Sequence, residues 1–87
     1  MSTKNVEINP SQCRAGRALL DITQTGLAER AELGLSTVVD FEKGRRQVST
    51  TAAKAIQEAL ERAGVEFIDE NGGGPGVRLR RPQRKKG

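Results

Sequence analysis

The chain of 87 residues has no histidine, tryptophan or tyrosine, one cysteine (Cys13) and only two phenylalanines, Phe41 and Phe67. Without histidine and with one cysteine, the usual nitrogen and sulfur ligands of a zinc site are missing, so no metal and no cofactor are expected. No hydroxyl or thiol nucleophile has an imidazole to activate it, and the expected role is not enzymatic. Cys13 cannot close an internal disulfide, and its place on the apolar side of the first helical pattern predicts a core-filling side chain. The shortage of stacking aromatics argues against single-stranded RNA as the ligand. No apolar run approaches the roughly 18 residues needed to span a bilayer, and MSTKNVEINP has no signal-peptide core, so a cytoplasmic location is expected. The glycine-rich run NGGGPG (residues 71–76) lacks the lysine and following hydroxyl of a phosphate-binding P-loop and does not lead into a helix.

What remains is a short, glycine-rich, charged chain. A domain of this size buries only about 60% of its unfolded surface, and with ten glycines and two aromatics its core must be aliphatic and thin. Burial at a dimer interface would add stability. The formal charge of +4 is unevenly placed: six of the fifteen Lys/Arg fall in residues 76–87, leaving nine against eleven acids in residues 1–75, net −2. The globular part is therefore not a general polyanion binder, and contact with phosphates must come from a few placed residues and the tail RLRRPQRKKG.

Residues 23–46, TQTGLAERAELGLSTVVDFEKGRR, hold two short helical patterns. Leu27, Ala28 and Ala31 form one apolar stripe, Val38 and Phe41 another. Thr23 suits the cap of the first, Gly34 that of the second, and Gly44 the stop. Only Glu32, Leu33 and Gly34 separate the stripes, a connection that crosses two helices steeply, as in a helix-turn-helix. Upstream, Asn9, Pro10 and Gln12 have the spacing of a capping box, starting a helix with Ala15, Ala18 and Leu19 inward and Ile22 closing its end. Downstream, Ser49 or Thr50 caps a helix to about Ala63, with Ala52, Ile56, Ala59, Leu60 and Ala63 as its stripe and Gly64 as its stop.

The ordered set of Gln24, Leu27-Ala28, Ala31, Ser36-Thr37-Val38, Phe41-Glu42, Gly44 and Arg45-Arg46, extended upstream through Arg14, Arg17, Ala18 and Leu20, resembles the Xre family of transcriptional regulators, which includes the lambdoid phage repressors and their Cro relatives. The resemblance implies a mainly α, four-helix DNA-binding domain of bacterial or phage type. It maps base contacts in the major groove to Leu35, Ser36, Val39 and Asp40. That face has no Arg, Lys, Asn or Gln for bidentate reading of purines: Leu35 and Val39 suit thymine methyls, Ser36 can donate, and Asp40 can accept from a cytosine amine. Backbone contacts map to Lys43, Arg45 and Arg46. Gln24 at a helix N-terminus and the Thr37 hydroxyl also suit phosphates. Arg17 and Glu42 match a structural ion pair of phage repressors. Glu32 departs from the family's turn glycine, and a left-handed conformation there costs a non-glycine residue about 1 kcal/mol or more.

The C-terminal part differs in kind. Val65 to Ile68 and Val77 to Arg80 are strand-like runs around a turn-rich segment, with Val65 and Phe67 matching Val77 and Leu79 on one face and Glu66 meeting Arg78 or Arg80 on the other. An isolated two-stranded ribbon is marginal, so it should pack on the fourth helix or, preferably, pair with its copy in a second subunit through Val65, Phe67, Val77 and Leu79. The expected organisation is a flexible 1–8, a helix-turn-helix domain over 9–64, a β-hairpin or dimer-pairing element over 65–80 and a disordered basic tail over 81–87. The expected function is that of a homodimeric regulator, a repressor binding a palindromic site in double-stranded DNA. The alternative is an antitoxin-like or accessory protein-interaction module that keeps the fold and reads DNA weakly.

Overall fold

The computed structural model describes residues 8–44, 48–69 and 73–80, which form four helices and a two-stranded sheet: α1 (Pro10–Leu20), α2 (Gln24–Ala31), α3 (Leu35–Lys43), α4 (Thr50–Arg62), β1 (Val65–Ile68) and β2 (Gly76–Leu79). The expected fraying of the first seven residues and disorder of 81–87 lie outside the described residues.

Local chemistry sets the helix ends. Asn9 Oδ1 accepts from the Gln12 amide at 2.7 Å and Gln12 Oε1 accepts from the Asn9 amide at 2.9 Å, a reciprocal box ahead of Pro10. Thr23 Oγ1 accepts from the Gly26 amide and Ser49 Oγ from the Ala52 amide, while Gly34 starts α3 with no side-chain bond. Helices α1, α2 and α3 each end on a left-handed residue, Asp21, Glu32 and Gly44, at φ 60°, 61° and 63°.

Leu27, Val38, Ile56, Leu60, Val65 and Cys13 are the fully buried side chains of the core. Ile8, read in sequence as the last residue of the flexible arm, is buried in that core. With Cys13 it occupies the two positions a hydrophobic staple uses. The inward face of α1 also differs from the expected one: Ala18 and Leu19 are exposed, and Gln12, Cys13 and Gly16 are buried with Leu20 packed beside them. Gly16 lies against α4 and β1, where a Cβ would sit 3.6 Å from both Leu60 Cδ1 and Val65 Cγ1. On α4, Ala53 joins the expected buried set, and Ala63 is half-buried.

The strands pair antiparallel within the chain, in the register Val65 with Leu79, Glu66 with Arg78, Phe67 with Val77 and Ile68 with Gly76. Glu66 accepts from Arg78 Nε at 3.1 Å on the exposed face. The hairpin packs on α1 and α4, and Gln12 Nε2 donates to the Gly76 carbonyl at 3.0 Å. No helix among the described residues is long and apolar enough to cross a membrane.

Candidate nucleic-acid interface

Helix α2, the turn and α3 pack as a unit. The Glu32 amide closes the end of α2 on the Ala28 and Glu29 carbonyls, and the Leu33 amide also bonds to the Ala28 carbonyl at 2.9 Å. Leu27, Ala28 and Ala31 turn the buried face of α2 into the core, and Val38 does the same for α3. Phe41, half-buried, packs against that core as expected, and the fully buried position beside it on α3 is Glu42, whose side chain is 2% exposed.

A buried carboxylate persists only if it is paired and hydrogen-bonded, and Glu42 is both. Arg17 meets it as a fork, Nε to Oε2 at 2.7 Å and Nη2 to Oε1 at 2.8 Å. Gln24 Nε2 donates to Oε1 at 3.0 Å and Cys13 Sγ to Oε2 at 3.1 Å. Arg17 also donates to the Ile22 carbonyl, and Arg14 donates to the Glu42 backbone carbonyl and to Ser11 Oγ. Burial pushes the Glu42 carboxyl pKa up, but the bonds from Arg17, Cys13 and Gln24 outweigh it and hold the group below the ordinary carboxylate value. Burial, reinforced by the bond to Glu42, pushes the Cys13 thiol well above its ordinary range, so Cys13 is an inert donor.

With its inner face so fixed, α3 presents Leu35, 45% exposed, and Ser36 outward, with Val39, Asp40 and Thr37 half-buried and Lys43 exposed at its end. Arg45 and Arg46 lie outside the described residues. Gln24 lies at the α2 N-terminus with one amide hydrogen on Glu42. It shares with Arg14, Arg17, Glu42 and Lys43 an open cleft of about 630 Å³. Of the hairpin residues assigned to a subunit contact, Val65 is buried in the chain's own core, Phe67 and Val77 are half-buried against it, and Leu79 is 37% exposed. Sequence reasoning placed Arg14 in the family pattern but gave it no role at the site, although its spacing of three from Arg17 places both on one side of α1. The bonds from Gln24 and Cys13 to Glu42 join residues far apart in sequence and had no local signal.

Two helices joined by a three-residue turn, the second anchored beneath and exposed above, define a helix-turn-helix DNA-binding domain. A helix-turn-helix family model matches residues 14–67, and the chain belongs to the Xre-like helix-turn-helix family. It is 39% identical over 62 residues to an uncharacterised HTH-type transcriptional regulator of Methanothermobacter thermautotrophicus, a match covering 68% of this chain and 90% of that protein.

Proposed function

We propose that this protein is a cytoplasmic transcriptional regulator that binds a palindromic DNA site as a homodimer and represses by occluding a promoter. The observation that carries this reading is the outward face of α3, held rigidly by the Glu42 cluster. Leu35, Ser36, Val39 and Asp40 meet base edges there, and Gln24, Thr37, Lys43, Arg45 and Arg46 meet phosphates. In the dimer two such helices enter successive major grooves about 34 to 36 Å apart. Because Val65 is already buried within the chain, the subunit contact uses Leu79 and the open backbone edges of the hairpin. Selection of bound duplex from a random pool at fixed salt tests the reading: a symmetric consensus is expected, and recovery without one opposes it. Arg46→Ala should weaken binding to all duplexes alike in a mobility shift; unchanged affinity would count against its backbone role.

The exposure of Leu35 on a face without Arg, Lys, Asn or Gln favours a second reading, an antitoxin-like or accessory protein that docks a partner there. A stoichiometric partner lost on Leu35→Ala, with no salt-sensitive DNA binding, would replace the first reading with this one.

A further inference from the structure

The cleft at the junction of α1, α2 and α3 brings Arg14, Arg17 and Lys43 together with Gln24 around one acid, Glu42. That carboxylate is taken up by Arg17 in two hydrogen bonds, so the charge of Arg17 is answered while those of Arg14 and Lys43 are not answered by any group lining the cleft. Arg14 is exposed but not loose: one end of its guanidinium bonds to the Glu42 carbonyl and the other to Ser11 Oγ at 3.2 Å. A guanidinium held at two points keeps its plane fixed and still has N–H donors for a tetrahedral anion, which lowers the ordering cost of binding one. Residues 1–75 are otherwise net acidic, so this excess of positive charge is local.

From this cleft we infer that α1 takes part in holding the DNA backbone: Arg14, with Lys43 and the remaining amide hydrogen of Gln24, forms a pocket for one phosphodiester group of the duplex. This rests on the DNA-binding reading and adds to it a contact from a helix outside the helix-turn-helix. Arg14 positions the duplex and reads no base, so its effect is the same for every sequence.

The test is fluorescence anisotropy of one labelled duplex with the full chain between about 50 and 200 mM salt. Each phosphate contact contributes about −0.9 to the slope of log K against log salt. Arg14→Gln should make the slope shallower by about 1, and Arg14→Lys should largely restore it. Lys54→Gln, in a separate hollow on α4 lined by Thr50, Thr51, Ala55 and Glu58, should leave it unchanged. A folded Arg14→Gln protein with the wild-type slope overturns the inference while the DNA-binding reading stands. A wild-type protein without salt-sensitive binding overturns both. If Arg14→Gln lowers a thermal shift produced by inorganic phosphate but leaves the duplex slope intact, the cleft takes free phosphate and the duplex assignment fails. Should Arg14→Gln not fold, the ¹⁵N resonance of the wild-type Arg14 Nε–H group decides: it should move on adding duplex, and a resonance that stays put overturns the inference.

Discussion

Helix α1 meets α3 through Cys13, Arg14 and Arg17 gathered at the Glu42 residue, and it meets the hairpin through Gly16, which lies against Val65, and a hydrogen bond from Gln12 to the Gly76 carbonyl. The first junction is polar and directional. A carboxylate that must satisfy four donors has one workable position, so the junction specifies the angle at which α3 leaves the core. The second is mainly apolar, with that one hydrogen bond, and apolar contacts add burial with little control of orientation. The helix that faces DNA is thus held by the more exacting chemistry, and the hairpin by the more forgiving.

Glu42→Ala is the severest way to break this contrast. It strands the Arg17 guanidinium, only 20% exposed, and should cost about 3–5 kcal/mol by chemical denaturation followed by circular dichroism. The loss should appear as unfolding and not as changed sequence preference. The same residue shapes the acid limb of stability. Its folded pKa is depressed, so its contribution is full above the unfolded carboxylate value of about 4.3 and is lost as the pH falls through the folded value. Cys13 has the opposite sign: its folded pKa is raised, so its contribution is full below the unfolded thiol value of about 8.5 and fades as pH rises above it. In pH-dependent denaturation, Glu42→Gln should flatten the acid limb and Cys13→Ala the alkaline limb.

Val65→Ala probes the apolar junction. Losing two buried methyl groups should cost about 2 kcal/mol, with hydrogen-exchange protection falling first in β1 and β2 while α3 stays protected. Equal loss in α3 would show that the junctions are not separable. The smallest effect is expected at Gly16→Ala. The added methyl meets Leu60 and Val65 at ordinary contact distance, so the gain in helix propensity should raise stability by about 0.5–1 kcal/mol in the same denaturation assay.

The contrast also explains what sequence could reveal. Caps at Asn9, Thr23, Ser49 and Gly44 are local bonds between near neighbours and were legible, as was the α2 stripe Leu27, Ala28 and Ala31. The buried face of α1 was not, because Gln12 and Gly16 carry no apolar signal while the exposed Ala18 and Leu19 do. The two faces of the hairpin followed from alternation, but its register did not: Glu66 could meet Arg78 or Arg80, and the structure pairs it with Arg78. The Arg17–Glu42 pairing was suggested by family resemblance alone. The two further donors to that carboxylate, and the turn of Arg14 toward the same cleft, depend on how three helices cross.

The left-handed ends of α1 and α2 have an evolutionary consequence. Asp21 and Glu32 adopt a backbone shape that suits glycine and costs other residues about 1–2 kcal/mol each. Both side chains are exposed at chain reversals. The lineage therefore holds an untapped thermal reserve at two surface corners, where adaptation to a hotter habitat could begin without altering the core or the outward face of α3.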